Sequence, residues 1–166
     1  MKLPDDIAAL AAETVAALIA KGLTVATAES CTGGLIAGAL TSISGSSAAV
    51  YGGYVTYANE AKLAMIGVPF GLLRQHGAVS KPVAIAMAEG ALATAGTHLA
   101  IAVTGIAGPD GGTPDKPVGT VHFALASEDG TTHTKKLFAD LDRDAVRHAT
   151  VLQALRMLLK AAKAAT

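Results

Sequence analysis

Two apolar runs, Leu23–Ala28 and Leu99–Val103, are strand-sized, and each follows an alanine-rich stretch whose apolar residues recur at helical spacing. Short buried strands fed by helices restrict the chain to an alternating α/β plan. A first helix is capped by Asp5 or Asp6, carries Ile7, Leu10, Ala11, Val15 and Leu18 on one stripe, and is stopped by Gly22. Past the Leu23–Ala28 strand, the pattern predicts a short helix over 33–42 and a turn at Gly45-Ser-Ser47. A strand over Tyr51–Tyr57 and a brief helix capped by Asn59 and running through Ala64 come next, closed near Gly67 and Pro69. Ser80-Lys-Pro is a strong helix start, because Pro82 sits where a missing N–H does no harm, and Gly96 ends that helix after Ala95. Gly119–Ser127 and Thr131–Phe138 flank Glu128-Asp-Gly130 as a hairpin. A last helix opens at Asp140 or Asp142 and keeps an apolar face through Leu159. The order predicts a three-layer α/β/α sandwich with a mixed β-sheet, in one domain spanning 1–166.

Charge and composition narrow the function classes. Thirteen basic residues balance thirteen acidic ones, which argues against a general electrostatic grip on nucleic acid or an anionic membrane. Cys31 is the single cysteine, so no intrachain disulfide forms and a reducing cytoplasm suits the chain. The segment Ser30–Asn59 carries no Asp, Glu, Lys or Arg, and Gly34-Leu-Ile-Ala-Gly38 has the spacing of a membrane dimerisation motif. Thr, Ser and Gly interrupt it repeatedly, however, so it reads as a buried, tightly packed part of a soluble protein. The N-terminus lacks the pattern of a secretory signal.

Chemistry-bearing residues gather where predicted strands end. Thr27-Ala-Glu-Ser-Cys-Thr-Gly-Gly34 marks a strand-to-helix junction, where open α/β sheets place ligands and where helix N–H groups favour an anion or oxyanion. Ser30 there is either a helix cap or a nucleophile awaiting a base. Lys62 is either a surface lysine paired with Glu60 or Glu29, or a desolvated amine that serves as that base, with Tyr57 relaying a proton or orienting it. Cys31 competes with Ser30 as a nucleophile, or is a buried small residue; spacing alone does not separate the two. The stretch Thr104–Pro114 is a glycine-rich loop able to approach a phosphate or ribose, or a plain connection. It has no Walker A ending and opens no G-x-G-x-x-G helix. Arg143 and Arg147 share a helix face, suiting either a phosphate or surface pairing with Asp142 and Asp144. His76, His98, His122, His133 and His148 lack metal-ligand spacing, so no metal or other cofactor is expected.

Together, several blocks in order resemble the CinA C-terminal domain family, whose standalone members include nicotinamide-nucleotide amidohydrolases. The carriers are Thr27–Gly34, Val55-Thr-Tyr-Ala-Asn-Glu-Ala-Lys62, Gln75-His-Gly-Ala-Val-Ser80, Val103-Thr-Gly-Ile-Ala-Gly-Pro-Asp-Gly-Gly112, Lys116-Pro-Val-Gly-Thr120 and Asp142-Arg-Asp-Ala-Val-Arg147. The resemblance covers the chain from about Gly22 to the last helix, and it implies hydrolysis of the carboxamide of nicotinamide mononucleotide to the acid with release of ammonia. It implies Ser30 as nucleophile, Lys62 as base and Tyr57 as an assisting hydroxyl. By the same resemblance Ser46, Thr104 and Gly105 line the pocket, Arg143 faces the nucleotide, and N–H groups of Cys31, Thr32 and Gly33 hold the oxyanion. Glu29 would position Lys62 or the nicotinamide. The family also points to a homo-oligomer, dimer or larger, and to the amidohydrolase module alone. Two stretches depart from the family pattern: Ala48-Ala-Val50 stands where bulky aromatics are common, and Asp140-Leu-Asp-Arg143 replaces a Gly-Asp-Arg approach. The rival reading is a non-catalytic nucleotide- or phosphate-binding module. An enzyme buries Lys62 within reach of Ser30 Oγ; a binding module turns it to solvent or to phosphate.

Overall fold

A five-stranded sheet in the order β2-β1-β3-β4-β5 organises the chain. The computed structural model describes residues 2–166. The elements are α1 (Asp5–Ala20), β1 (Val25–Glu29), α2 (Leu35–Thr41), β2 (Val50–Val55), α3 (Asn59–Ile66), α4 (Phe70–His76), α5 (Lys81–Ala95), β3 (Leu99–Gly105), β4 (Thr120–Ser127), β5 (Gly130–Leu137) and α6 (Arg143–Ala164). Strand β1 pairs in parallel with β2 on one side and β3 on the other, while β4 and β5 form an antiparallel hairpin beside β3. The sheet is therefore mixed, and helices cover both faces, as the alternating sequence predicts.

Alternation along β3 decides which helices go where. Leu99, Ile101 and Val103 point with Val25, Val121 and Phe123 into a core shared with α1, α2 and α6. Ala100 and Ala102 point the other way, with Ala28, Ala124 and Ala126, toward α3, α4 and α5. A bulky face meets two long helices, and an alanine face lets α5 lie close. The same closeness recurs between helices: a Cβ on Gly90 of α5 would overlap the carbonyl oxygen of Ile66, at the end of α3. On the bulky side Phe123 is fully buried and meets Phe138 edge-on, with ring centroids 6.5 Å apart.

Several local expectations shift. Pro4, not an aspartate, occupies the N-cap of α1, and Asp5 and Asp6 sit in its first turn. Asn59 is the first residue of α3, capped by Ala58 in extended geometry. The 33–42 helix shortens to Leu35–Thr41 because Gly33 and Gly34 have φ of +59° and +100°, outside helical space. Helix α4 was not foreseen, although Pro69 and Gly77 bracket it. Asp142 is the cap of α6, its carboxylate accepting from the Ala145 N–H at 2.8 Å. Among the described residues no helix is long and apolar enough to cross a membrane.

Candidate active site

The carboxyl ends of β1 and β3 lie side by side, Glu29 opposite Val103, and the chain leaves them in different directions. After β1 it turns into α2 on the bulky side of the sheet; after β3 it enters the loop 106–119. A crevice opens at such a divergence in α/β sheets. Here it is a cleft of about 270 Å³ lined by Ser30 just after β1, Tyr57 just after β2, Lys62 from α3, Thr104 and Gly105 from β3, and Arg143 from α6.

Lys62 is the unusual group in that cleft. Its side chain crosses from α3 into the protein and is 1% exposed. The Nζ lies 2.8 Å from the Thr56 carbonyl, 3.3 Å from the Tyr57 carbonyl and 3.2 Å from Ser30 Oγ. Among the described residues no carboxylate bonds it. Burial without a counter-charge disfavours the ammonium and holds its pKa below the ordinary lysine value. The Nζ donates to both carbonyls and to Ser30 Oγ, which places the amine and the serine hydroxyl in direct contact.

The turn that carries Ser30 is fixed from three sides. The Ser30 N–H donates to the Val103 carbonyl at 3.1 Å, and the Gly33 N–H closes the turn onto the Ser30 carbonyl at 3.0 Å. Beneath it lies the fully buried carboxylate of Glu29. It accepts from Thr27 Oγ1 (3.1 Å), Thr32 Oγ1 (2.6 Å) and the N–H groups of Gly34, Ile36 and Ala37 (3.1, 3.0 and 2.8 Å). These are the orphan donors of the α2 N-terminus, and a carboxylate satisfies them and meets the positive helix end. Glu29 is thus not in contact with Lys62 and does not line the cleft. Behind the turn, Arg147 donates from Nε to the Cys31 carbonyl (3.1 Å) and from Nη2 to the Thr32 carbonyl (3.3 Å).

Cys31 and Ser30 are neighbours with different prospects. Burial pushes the Cys31 thiol up to about 12, with Glu29 adding to the shift and Arg147 and Lys62 opposing it. A thiol in that state is not a thiolate near neutrality. Ser30 has an amine at hydrogen-bond distance; Cys31 does not.

Arg143 reaches across the mouth, donating from Nη1 to the Gly108 carbonyl at 2.8 Å and from Nη2 to the Tyr57 hydroxyl at 3.3 Å. Thr104 Oγ1 donates to the Ala78 carbonyl at 2.8 Å, pinning the turn between α4 and α5 against β3. The structure brings Ser30, Cys31, Tyr57, Lys62, Thr104, Gly105 and Arg143 to one cleft. It leaves Glu29, Thr32, Gly33 and Ser46 outside the lining; Ser46 is buried in a short 3-10 turn over Ser46–Ala48. Arg143 and Arg147, read as one face, part company: only Arg143 lines the cleft. Sequence reasoning missed Ala78, Val79 and Asp110 as lining residues and the Thr56 and Gly108 carbonyls as partners. Gly77 and Ser80, turn residues between two helices, were the available signal for the first two. Among the described residues no group of three or more His, Cys, Asp or Glu side chains could hold a metal.

Residues 7–162 match the family described as CinA C-terminal domain. A CinA-like protein of Geobacter sulfurreducens is 54% identical over 162 residues, covering 95% of this chain and 39% of the relative. The chain spans between 35% and 39% of the length of four such bacterial relatives, a little over a third of each. The nicotinamide-nucleotide amidohydrolase PncC of Escherichia coli K12 is 51% identical over 154 residues, covering 93% of both chains. The crystal structure of the competence/damage inducible protein CihA of Agrobacterium tumefaciens superposes with a TM-score of 0.93 at 51% identity, covering 96% of this chain and 98% of that one. A match across almost the whole length, with relatives sharing half of all residues, makes this protein a member of the CinA C-terminal domain family.

Proposed function

We propose that the chain hydrolyses the carboxamide of nicotinamide mononucleotide to nicotinic acid mononucleotide and ammonia, using Ser30 as nucleophile and Lys62 as base. The observation that carries this reading is a buried lysine without a carboxylate partner, 3.2 Å from a serine hydroxyl. The likeness to an amidohydrolase of equal length supports the substrate.

In the first step Ser30 Oγ forms a bond to the amide carbon while its proton passes to Lys62 Nζ. The negative charge collects on the former carbonyl oxygen. N–H groups of Cys31 and Thr32, which make no hydrogen bond within the described chain, are suited to hold it; the Gly33 N–H is already used by the Ser30 carbonyl. The C–N bond then breaks, and the nitrogen leaves as ammonia with the proton from Lys62. Water attacks the resulting ester, Lys62 takes its proton, the ester C–O bond breaks, and the proton returns to Ser30 Oγ. The sum is amide plus water giving acid plus ammonia, through groups of the chain alone.

Tyr57 and Arg143, joined at 3.3 Å, form the polar mouth, where a guanidinium suits the phosphate. The wall made by Ala78 and Val79 suits the flat pyridine ring. Thr104 and Gly105 form the floor. We extend the proposal to a single domain over 1–166 that works in the cytoplasm as a homo-oligomer, dimer or larger. Its lone free cysteine supports the first of these settings. Exposed Tyr51, Val55, Leu63 and Met65 along the edge strand β2 and α3 support the second.

The test is ammonia and nicotinic acid mononucleotide release from nicotinamide mononucleotide by wild type, Ser30→Ala, Cys31→Ala and Lys62→Ala without added metal. The proposal expects product from wild type and Cys31→Ala only. Wild-type rates from Ser30→Ala would overturn the serine mechanism, and tight nucleotide binding with no product from wild type would favour a binding module.

A further inference from the structure

Among the described residues Arg147 neither lines the cleft nor pairs with a carboxylate, yet its Nε and Nη2 both donate to the segment that follows Ser30. What it holds are peptide carbonyls. In a trans peptide the C=O and the N–H of the next residue point in opposite directions, so fixing one aims the other. The Cys31 carbonyl shares its peptide with the Thr32 N–H. The Ser30 carbonyl, held at 3.0 Å by the Gly33 N–H, shares its peptide with the Cys31 N–H. Among the described residues neither N–H group, beside the nucleophile, has a partner.

The other anchors of the turn do not duplicate this function. Glu29 holds Thr32 through its side chain and the backbone only from Gly34 onward. The Thr32 carbonyl has a second donor, the Leu35 N–H at 3.2 Å. Among the described residues the Cys31 carbonyl has only Arg147 as a donor. Removing that guanidinium therefore frees one particular peptide, the one whose N–H is the Thr32 donor.

We infer that Arg147 is a positioning residue for the oxyanion site: it fixes the Cys31–Thr32 peptide so that the Thr32 N–H faces the developing negative charge. The inference rests on the Ser30 amidohydrolase reading above. Its positive charge also lies close enough to act on the Cys31 thiol, opposing the upward shift that burial imposes. An oxyanion formed beside that residue is stabilised by the same field. Arg143, four residues earlier on α6, has the different task of facing the mouth.

The experiment compares wild type with Arg147→Met, which keeps the packed stem, and Arg147→Lys, which keeps the charge but loses the fork. Three readouts are taken: kcat and KM for nicotinamide mononucleotide, affinity for nicotinic acid mononucleotide, and the rate at which a fluorophosphonate labels Ser30. Loss of one oxyanion donor lowers turnover by about 10²–10³-fold. The expected result for Arg147→Met is a fall in kcat of that size, with KM and product affinity within about threefold, and an equal slowing of labelling. Arg147→Lys recovers part of both rates. The acid limb of the pH–rate profile stays where it is in wild type, because Lys62 is untouched. A KM or product affinity weakened tenfold with kcat unchanged would make Arg147 a ligand-binding cation and overturn the inference. So would unchanged rates in both variants, or unfolding of Arg147→Met with wild-type rates in a folded Arg147→Lys. Labelling of wild type without turnover of the nucleotide sinks the substrate reading alone, and the labelling rates then decide on Arg147. Absence of both labelling and turnover in wild type overturns both readings.

Discussion

Two ionisable side chains are buried beside Ser30, and they are buried differently. Glu29 is 0% exposed and receives five hydrogen bonds from hydroxyls and helix N–H groups. Lys62 is 1% exposed and has two carbonyls and one hydroxyl. The carboxylate sits where every surrounding dipole favours its charge. The amine sits where burial opposes its charge and no carboxylate answers it. Equal burial therefore produces an anchor in one case and, in the proposed mechanism, a base in the other. The difference lies in the partners: five hydrogen bonds and a helix N-terminus answer the carboxylate, whereas two carbonyls and a hydroxyl leave an ammonium without a negative partner.

Removing each group tests that contrast most strongly. Lys62→Met is expected to lower kcat by about 10³-fold, within the range for a lost general base. Its thermal stability should hold or rise by up to about 2 kcal/mol, because an uncompensated buried amine is gone. Glu29→Gln reverses the ranking. A glutamine brings an NH₂ group against N–H donors, so stability should drop by about 2–4 kcal/mol, read as a fall of about 2–4 °C in Tm per kcal/mol. Calorimetry and steady-state kinetics on the two variants separate anchor from base; a Lys62→Met protein as destabilised as Glu29→Gln would erase the distinction.

The pH dependence sharpens it. Lys62 has a lowered pKa in the folded chain, so between that value and the ordinary 10.5 the unfolded chain binds more protons than the folded one. Stability attributable to Lys62 therefore rises with pH across this window, and kcat/KM rises as the amine becomes neutral. In Lys62→Met the stability slope over the same window should flatten, which denaturant titrations at a series of pH values would detect. The smallest effect belongs to Cys31. With its thiol pushed to about 12, Cys31→Ala should change kcat by no more than about threefold and cost about 1–2 kcal/mol for the buried sulfur. A loss of a hundredfold in activity would return the cysteine to the mechanism.

Local chemistry in the chain foretold much of the scaffold. Pro82 in the first turn of α5, Gly96 at its end and Asp142 before α6 are signals that act within one turn of the residue itself, and the structure follows them. The hairpin after Ser127 and the strand-to-helix junction at Ser30 were legible for the same reason. Helix α4 was not, because two turns of Phe70-Gly-Leu-Leu-Arg-Gln-His76 offer too short a period to recognise, and a glycine weakens the propensity. In the site, the resemblance supplied Ser30 and Lys62, yet nothing near Lys62 in the chain announces burial: Glu60 precedes it and exposed Leu63 follows. Its surroundings come from Ser30, thirty-two positions away, and from main-chain carbonyls that carry no sequence signature. The resemblance has Glu29 position Lys62 or the nicotinamide; its partners are instead the hydroxyls of Thr27 and Thr32 and N–H groups at the start of α2, visible only once the turn is folded. The division of labour between Arg143 and Arg147 likewise depends on where the loop ending β3 and the Ser30 turn pass relative to α6.

The central claim is that Lys62 is held as a neutral base for Ser30. Heteronuclear NMR of the protein with ¹³Cε- and ¹⁵Nζ-labelled lysines, assigned through Lys62→Met, reads the titration of that amine directly. The account predicts a single lysine titrating clearly below the ordinary 10.5, and absent from the Lys62→Met spectrum. Lys62 titrating at or above that value would mean a permanent ammonium in the cleft, and the serine–lysine mechanism would not stand.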